Sequence, residues 1–212
     1  MGMQFSDMVF ADQVKDMNGS AIREIFHLLK VPGMISFAGG NPASSALEPD
    51  VVSEIVNEVL KRDGTAILQY GATEGYAPLR ESIAEFVKGC GLNTSADAVL
   101  PVTGSMQAMD LLCKVLINPG DAILAEDPTF LGVLQTMRMY RPNIQPIATD
   151  EFGAIPESVE EQIRKFQPKL IYIIPTFQNP TGKTLILERR KQLAALASKY
   201  GVVLAEDDPY RD

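Results

Sequence analysis

Cysteine is scarce. Cys90 and Cys113 are the only two in 212 residues, and their separation fits neither a metal-ligand nor a redox spacing. They read as reduced thiols, with Cys113 in the core. The single histidine, His27, is most simply a helix-surface residue. A basic excess is also missing: 19 Lys and Arg stand against 27 Asp and Glu, a formal net charge of −8. Nucleic-acid partners, which call for a basic face, are therefore excluded. No apolar run approaches the length of a membrane span. Met1–Phe10 contains Asp7 and lacks the basic-then-apolar order of a signal peptide. Low-complexity segments and repeats of solenoid length are absent as well. What is present is ordinary for a soluble cytoplasmic protein: 46% hydrophobic and 22% charged residues, enough for a sizeable core. An anionic ligand would have to be held by local dipoles and one or two cations, since the overall charge repels it.

The chain to residue 48 reads as an arm plus one helix, in which Ser20 caps a run with Ile22, Ile25, Phe26 and Leu29 on one face. A short extended piece, Met34–Phe37, and the loop Gly39-Gly40-Asn41-Pro42 follow. Residues 49–212 form the second part. Helices are predicted over Pro49–Arg62, with Val52, Ile55, Val56 and Val59 inward, and over Ala77–Lys88, ending at Gly89. From Ala98 onward apolar strands alternate with amphipathic helices. The pattern predicts strands at Val99–Val102, Ala122–Ala125, Asn143–Ile147, Leu170–Ile174 and Val202–Ala205. The helices between them fall at Ser105–Ile117, Leu131–Tyr140, Pro156–Phe166 and Leu187–Lys199. That order implies βαβ units: a three-layer α/β/α fold whose mostly parallel sheet is covered on both faces. Ligands of such sheets bind beyond the carboxyl ends of the strands. The loops at Gly104, Phe130, Asn179 and Asp207 should therefore share one edge.

Each loop has a plain reading beside a chemical one. Thr103-Gly104-Ser105-Met106-Gln107 opens a helix whose free N–H groups suit a phosphate, or it is a simple helix start. Phe130 could stack on a planar ring or belong to the core. Asn179-Pro180-Thr181-Gly182 could be only a turn, yet Thr176–Asn179 puts more polar groups after a strand than a minimal turn needs. Glu206-Asp207-Asp208 is a solvated acidic loop, or it offers a carboxylate to a protonated ring nitrogen. Gly182-Lys183-Thr184 is not the end of a P-loop, because Phe177 stands where that motif needs glycine. An amide from Asn179 for a phenolic oxygen, with a carboxylate from Asp207 for a ring nitrogen, suits pyridoxal 5′-phosphate (PLP).

Together these residues resemble the class I/II aminotransferases, the fold-type I PLP enzymes. The resemblance is to the branch with 2-aminoadipate and aromatic aminotransferases and the aminotransferase-like domain of MocR-type regulators. It rests on Ser20–Glu24, Ile35–Gly40, Leu68–Tyr70 with Gly75 and Leu79-Arg80, and most specifically on Pro175-Thr-Phe-Gln-Asn-Pro-Thr-Gly182. It implies that Ser105, Gln107 and the Met106 amide bind the cofactor phosphate, that Phe130 stacks on the ring, and that Asn179 and Tyr210 bond its O3′. Asp207 would pair with the pyridine nitrogen, and Tyr70 would complete the phosphate site of a neighbouring subunit in a homodimer. Gly40 and Asn179 would lie beside the substrate carboxylate. Arg23 would read a substrate side chain, unless it is a plain surface arginine.

The implied activity moves an amino group between an amino acid and a 2-oxo acid. The family's covalently bonding lysine follows the Asp-x-x-Tyr pair by a few dozen residues, so no catalytic lysine is expected among these 212. Lys183 lies in the turn after Asn179, and Lys199 lies on an outer helix. The chain thus reads as the N-terminal part of a longer enzyme. The alternatives are a MocR-type effector domain, which needs a winged helix-turn-helix before Ser20, and a PLP enzyme of elimination type. A start at Met1 favours the free-standing enzyme.

Overall fold

The computed structural model describes residues 11–15, 33, 35 and 42–211. The predicted N-terminal helix with Arg23 and His27, and Gly40, lie outside the described residues. The chain divides into two compact units, Asn18–Pro101 and a second made of Met1–Met17 with Val102–Asp212.

In the first unit, α1 spans Pro49–Asp63 and α2 spans Ala77–Gly89, each with proline in its first turn and a basic residue in its last. Both placements suit a helix, because proline needs no intrahelical donor there and the basic charge meets the carboxyl-end dipole. The expected inward stripe of α1 is corrected: Val52, Ile55 and Val56 are about half exposed or more, and only Val59 is half-buried. Helical periodicity identifies a face but not its partner, and no described element of this unit buries that face. The expected strand Val99–Val102 does not form either. Arg80 Nε donates to the Val99 carbonyl at 3.0 Å, taking an acceptor that a ladder would use, and Pro101 has no N–H to give.

The second unit contains α3 (Ser105–Leu116), β1 (Ala122–Glu126), α4 (Leu131–Arg138), β2 (Asn143–Ile147), β3 (Thr149–Asp150), β4 (Gly153–Ala154), α5 (Pro156–Phe166), β5 (Leu170–Ile173), α6 (Leu187–Tyr200) and β6 (Val203–Glu206). Four strands form one sheet in the order β2-β1-β5-β6, and every pairing is parallel. Strands β1 and β5 are wholly buried, while the edge strands are only half covered.

Alternation along the two central strands builds two cores. Ile123, Ala125, Leu170, Tyr172 and Ile174 face one way and pack against Met109 and Cys113 of α3 and Val133 and Met137 of α4. Leu124, Ile171 and Ile173 face the other way and pack against Val159 and Ile163 of α5 and Leu193 of α6. The helical pairs are spaced by four residues, one turn apart on one face. The result is the three-layer α/β/α arrangement expected from the pattern. Cys113 is fully buried, and burial, with the charge of Asp110 adding to it, pushes its thiol up to about 11. It is a core residue, as expected.

The antiparallel pair β3–β4 was not anticipated. Phe152 N–H donates to Asp150 Oδ1 at 2.8 Å, an Asx-type turn. Arg189 of α6 then grips both Asp150 oxygens at 2.6 and 2.7 Å and also donates to the Gly153 carbonyl at 2.9 Å. The Arg189 hydrogen bond, ahead of the Phe152 amide, lowers the Asp150 carboxyl from 3.8 to about 2. A carboxyl depressed in the folded state contributes stability above its ordinary pKa and loses it as the pH falls toward the folded value. Between pH 4 and 2, Asp150→Asn is therefore expected to flatten the decline of the thermal midpoint relative to wild type, starting from a lower midpoint at neutral pH. Parallel decline of the two proteins through that window would refute this.

Candidate cofactor site

Because β1, β5 and β6 are parallel neighbours, the loops after them leave the sheet on one edge. Asp127–Phe130 follows β1, Ile174–Lys183 follows β5, and Asp207 follows β6. The fourth loop is the exception to expectation, since no strand precedes Gly104. It nevertheless reaches the same place, because α3 packs beside α4. A Cβ added at Gly132 would meet the Phe130 ring at 2.6 Å and Met106 Sδ at 3.2 Å, so Met106 and Phe130 converge over the start of α4.

At the start of α3, Gly104 takes φ +88° and no side chain caps the helix. The N–H groups of Ser105 and Met106 have no partner among the described residues. The Gln107 N–H, expected to be free, donates to the Gly104 carbonyl at 3.2 Å, and its Oε1 accepts the Thr103 N–H at 2.6 Å. Its side chain braces the loop, which leaves two free amides, not three. Phe130 is half-buried and lies against the core on the α3–α4 face, in keeping with the core reading. Asn179 is half-buried, and Tyr210 is exposed. Tyr70 belongs to the first unit and is fully exposed.

The Asp207 carboxylate is set from two sides. Its backbone N–H donates to the Ile173 carbonyl at 2.9 Å, extending the β5–β6 ladder by one bond. Its Oδ2 accepts the Tyr172 hydroxyl at 2.8 Å. The other oxygen takes no hydrogen bond from the described residues. Tyr172 is wholly buried, and burial first, then the Asp207 charge, push its hydroxyl far above the ordinary phenol range. It therefore stays a donor.

Three further polar residues hold the loops, and the chain pattern alone gave them no role. Glu126, at the end of β1, is buried and accepts the Ile174 N–H at 2.9 Å. Burial raises its carboxyl, while the Ile174 amide and Gln178 draw it back. Gln178 is buried as well. Its Nε2 donates to the Pro128 carbonyl at 2.8 Å, and its Oε1 accepts from the Thr181 amide and hydroxyl at 2.9 and 2.6 Å. One side chain thus ties the Phe130 loop to the Asn179 turn. Tyr172 is the third. The available signal was a polar group inside or ending an apolar run, since a buried polar group needs a partner.

The two lysines weighed from the sequence lie in a turn and on a helix. Lys199 Nζ is bound to Glu160 of α5 at 2.8 Å, and the Lys183 carbonyl accepts the Gln178 N–H at 2.7 Å, within the turn. Among the described residues no group of His, Cys, Asp and Glu could hold a metal ion, and no helix is long and apolar enough to cross a membrane.

A sequence model of the family described as aminotransferase class I and II matches residues 32–212. The chain belongs to that family. An aromatic-amino-acid aminotransferase of Thermococcus litoralis is 39% identical over 207 residues, which cover 95% of this chain and 50% of the relative. Among solved structures, a kynurenine aminotransferase of Pyrococcus horikoshii in complex with PMP superposes with TM-score 0.85 at 36% identity, covering 94% of this chain and 51% of that one. An α-aminoadipate aminotransferase of Thermus thermophilus, complexed with N-(5′-phosphopyridoxyl)-L-leucine, gives TM-score 0.84 at 37% identity, over 99% of this chain and 51% of that one. The chain spans about half the length of the curated relatives it matches.

Proposed function

We propose that this chain forms the cofactor-holding half of a PLP-dependent aminotransferase that moves an amino group between an amino acid and a 2-oxo acid. The observation that carries the reading is the Asp207 carboxylate. One of its oxygens is fixed by buried Tyr172 and the other takes no hydrogen bond from the described residues, on the same sheet edge as an uncapped helix start. The residues fit the cofactor at both ends. Two free amides at a helix N-terminus suit a phosphate, and a fixed carboxylate suits a pyridine nitrogen. When bound, PLP supplies an electron sink for the pair released at Cα.

The chain's own groups then do the following. Ser105 and the Met106 amide bind the phosphate, with Gln107 bracing the turn. Phe130 limits one face of the ring site and keeps water from it. Asn179 and Tyr210 orient the O3′ oxygen, and Asp207 holds the proton on the ring nitrogen. The family resemblance would give Gly40 and Asn179 the substrate carboxylate, and would give Arg23 the substrate side chain unless it is a plain surface arginine. Tyr70 completes the phosphate site of a second subunit in a homodimer. Residues 49–212 make up the N-terminal part of the large domain, and the protein works in the cytoplasm.

The test uses the protein carrying this chain together with the segment that supplies the lysine. Given PLP, an amino acid and a 2-oxo acid, it should yield the exchanged pair, both products being read by mass spectrometry. Ammonia release without a new amino acid would replace transfer by elimination. Failure to bind PLP at all would remove the reading.

A further inference from the structure

The chain devotes a fully buried tyrosine in its central strand β5 to one contact outside the apolar core, the hydroxyl bond to Asp207 at 2.8 Å. A phenylalanine would fill the same space. Tyr172 belongs to the buried core cluster on the α3–α4 face, with Met109, Val133 and Ile174, so packing fixes its position and the hydroxyl is delivered from a central strand. The carboxylate meets it from the loop after β6, where only the Asp207–Ile173 backbone bond extends the ladder. Without the hydroxyl, the side-chain torsion of Asp207 would be free to place either oxygen anywhere on its arc. With it, Oδ2 is occupied, and Oδ1 takes no hydrogen bond from the described residues.

We infer that Tyr172 is a positioning residue: it orients the Asp207 carboxylate so that a single oxygen meets the ring nitrogen of a bound pyridine cofactor. The inference rests on the proposed PLP site and adds to it a residue that never touches the cofactor. Pre-orientation of this kind acts by removing the cost of fixing a rotor upon binding. Its effect must therefore appear only with ligands whose ring carries the nitrogen.

The experiment is a comparison of two ligands on two proteins. The wild-type protein carrying this chain and its Tyr172→Phe variant are titrated, by equilibrium dialysis, with PLP and with the analogue in which carbon replaces the ring nitrogen. Thermal unfolding without ligand reports on the fold. Tyr172→Phe is expected to weaken PLP by roughly three- to tenfold, the range of one net hydrogen bond, while affinity for the carbon analogue is unchanged. Tyr172→Phe deletes only the hydroxyl and keeps the packed ring. Equal weakening of both ligands would make Tyr172 a structural residue only, and unchanged affinity for both would overturn the inference too. Should the wild-type protein bind neither ligand, the proposed site itself fails. Binding of both by wild type, without discrimination by the variant, removes only the role of Tyr172.

Discussion

Asp207→Ala is expected to weaken PLP binding by about 1.5–3 kcal/mol, roughly 10- to 150-fold, the worth of a hydrogen bond involving a charged group. The half-exposed position of Asp207 argues against the larger losses seen for fully buried charge pairs. The same change should also lower stability, because it strips the buried Tyr172 hydroxyl of its acceptor. An unsatisfied buried donor costs about 1–3 kcal/mol. Asp207→Asn separates the two effects. Its amide oxygen can still accept from Tyr172, so the thermal midpoint should stay near wild type, while the loss of charge keeps PLP binding weak. Dialysis against PLP and thermal unfolding of the three proteins decide the matter. If Asp207→Asn bound PLP as tightly as wild type, the carboxylate would have no part in holding the ring.

That a carboxylate stands at this edge was legible in the chain, and its reason is geometric. Strands alternating with helices force parallel pairing, and parallel pairing sends every strand's following loop to one edge. Apolar runs such as Ala122–Ala125 and Leu170–Ile174 are too short for a buried helix and so read as strands. Their faces also sort by simple alternation, which is why both cores and the α3–α6 boundaries agree with the pattern to within two residues. The pattern failed where a side chain took over a backbone role. Arg80 claims the Val99 carbonyl, and Gln107 claims the Thr103 amide; neither bond leaves a periodicity to read. It failed differently at α1, whose apolar stripe is real but remains exposed. Amphipathic spacing states that a face seeks cover without saying which element supplies it. The supporting trio of Glu126, Tyr172 and Gln178 escaped notice for a third reason. Their roles are set by contacts across 35 to 50 residues, a separation that local pattern does not span.

The hairpin β3–β4 belongs with those long-range supports, and its glycine gives the second large expected effect. Gly153 is buried with φ +91°, and a Cβ there would meet Leu185 Cδ1 at 2.9 Å and the Leu185 Cα at 3.1 Å. The first clash could be relieved by a rotamer change, but the second is with backbone. A positive φ adds about 1–2 kcal/mol for any L side chain, and overpacking adds about 1–3 kcal/mol. Gly153→Ala should therefore cost about 2–5 kcal/mol, or roughly 4–20 °C in midpoint for a chain of this size.

The damage should not stay local. Leu185 N–H donates to the Pro175 carbonyl at 2.8 Å, while Arg190 holds the Leu185 and Pro175 carbonyls at 2.9 Å each. These bonds close the base of the turn that carries Gln178 and Asn179. Pushing Leu185 outward must either break them or move the turn, and moving the turn shifts Asn179 relative to Asp207. PLP binding should weaken along with stability, even though Gly153 lies on the hairpin and not on the site. Gly201→Ala is the control. Its φ of +64° carries a similar backbone penalty, but a Cβ there meets nothing within 4 Å, and it caps α6 away from the turn. It should lower the midpoint by less and leave PLP affinity unchanged. If Gly153→Ala lost stability yet bound PLP like wild type, the hairpin would stabilise the fold without seating the turn.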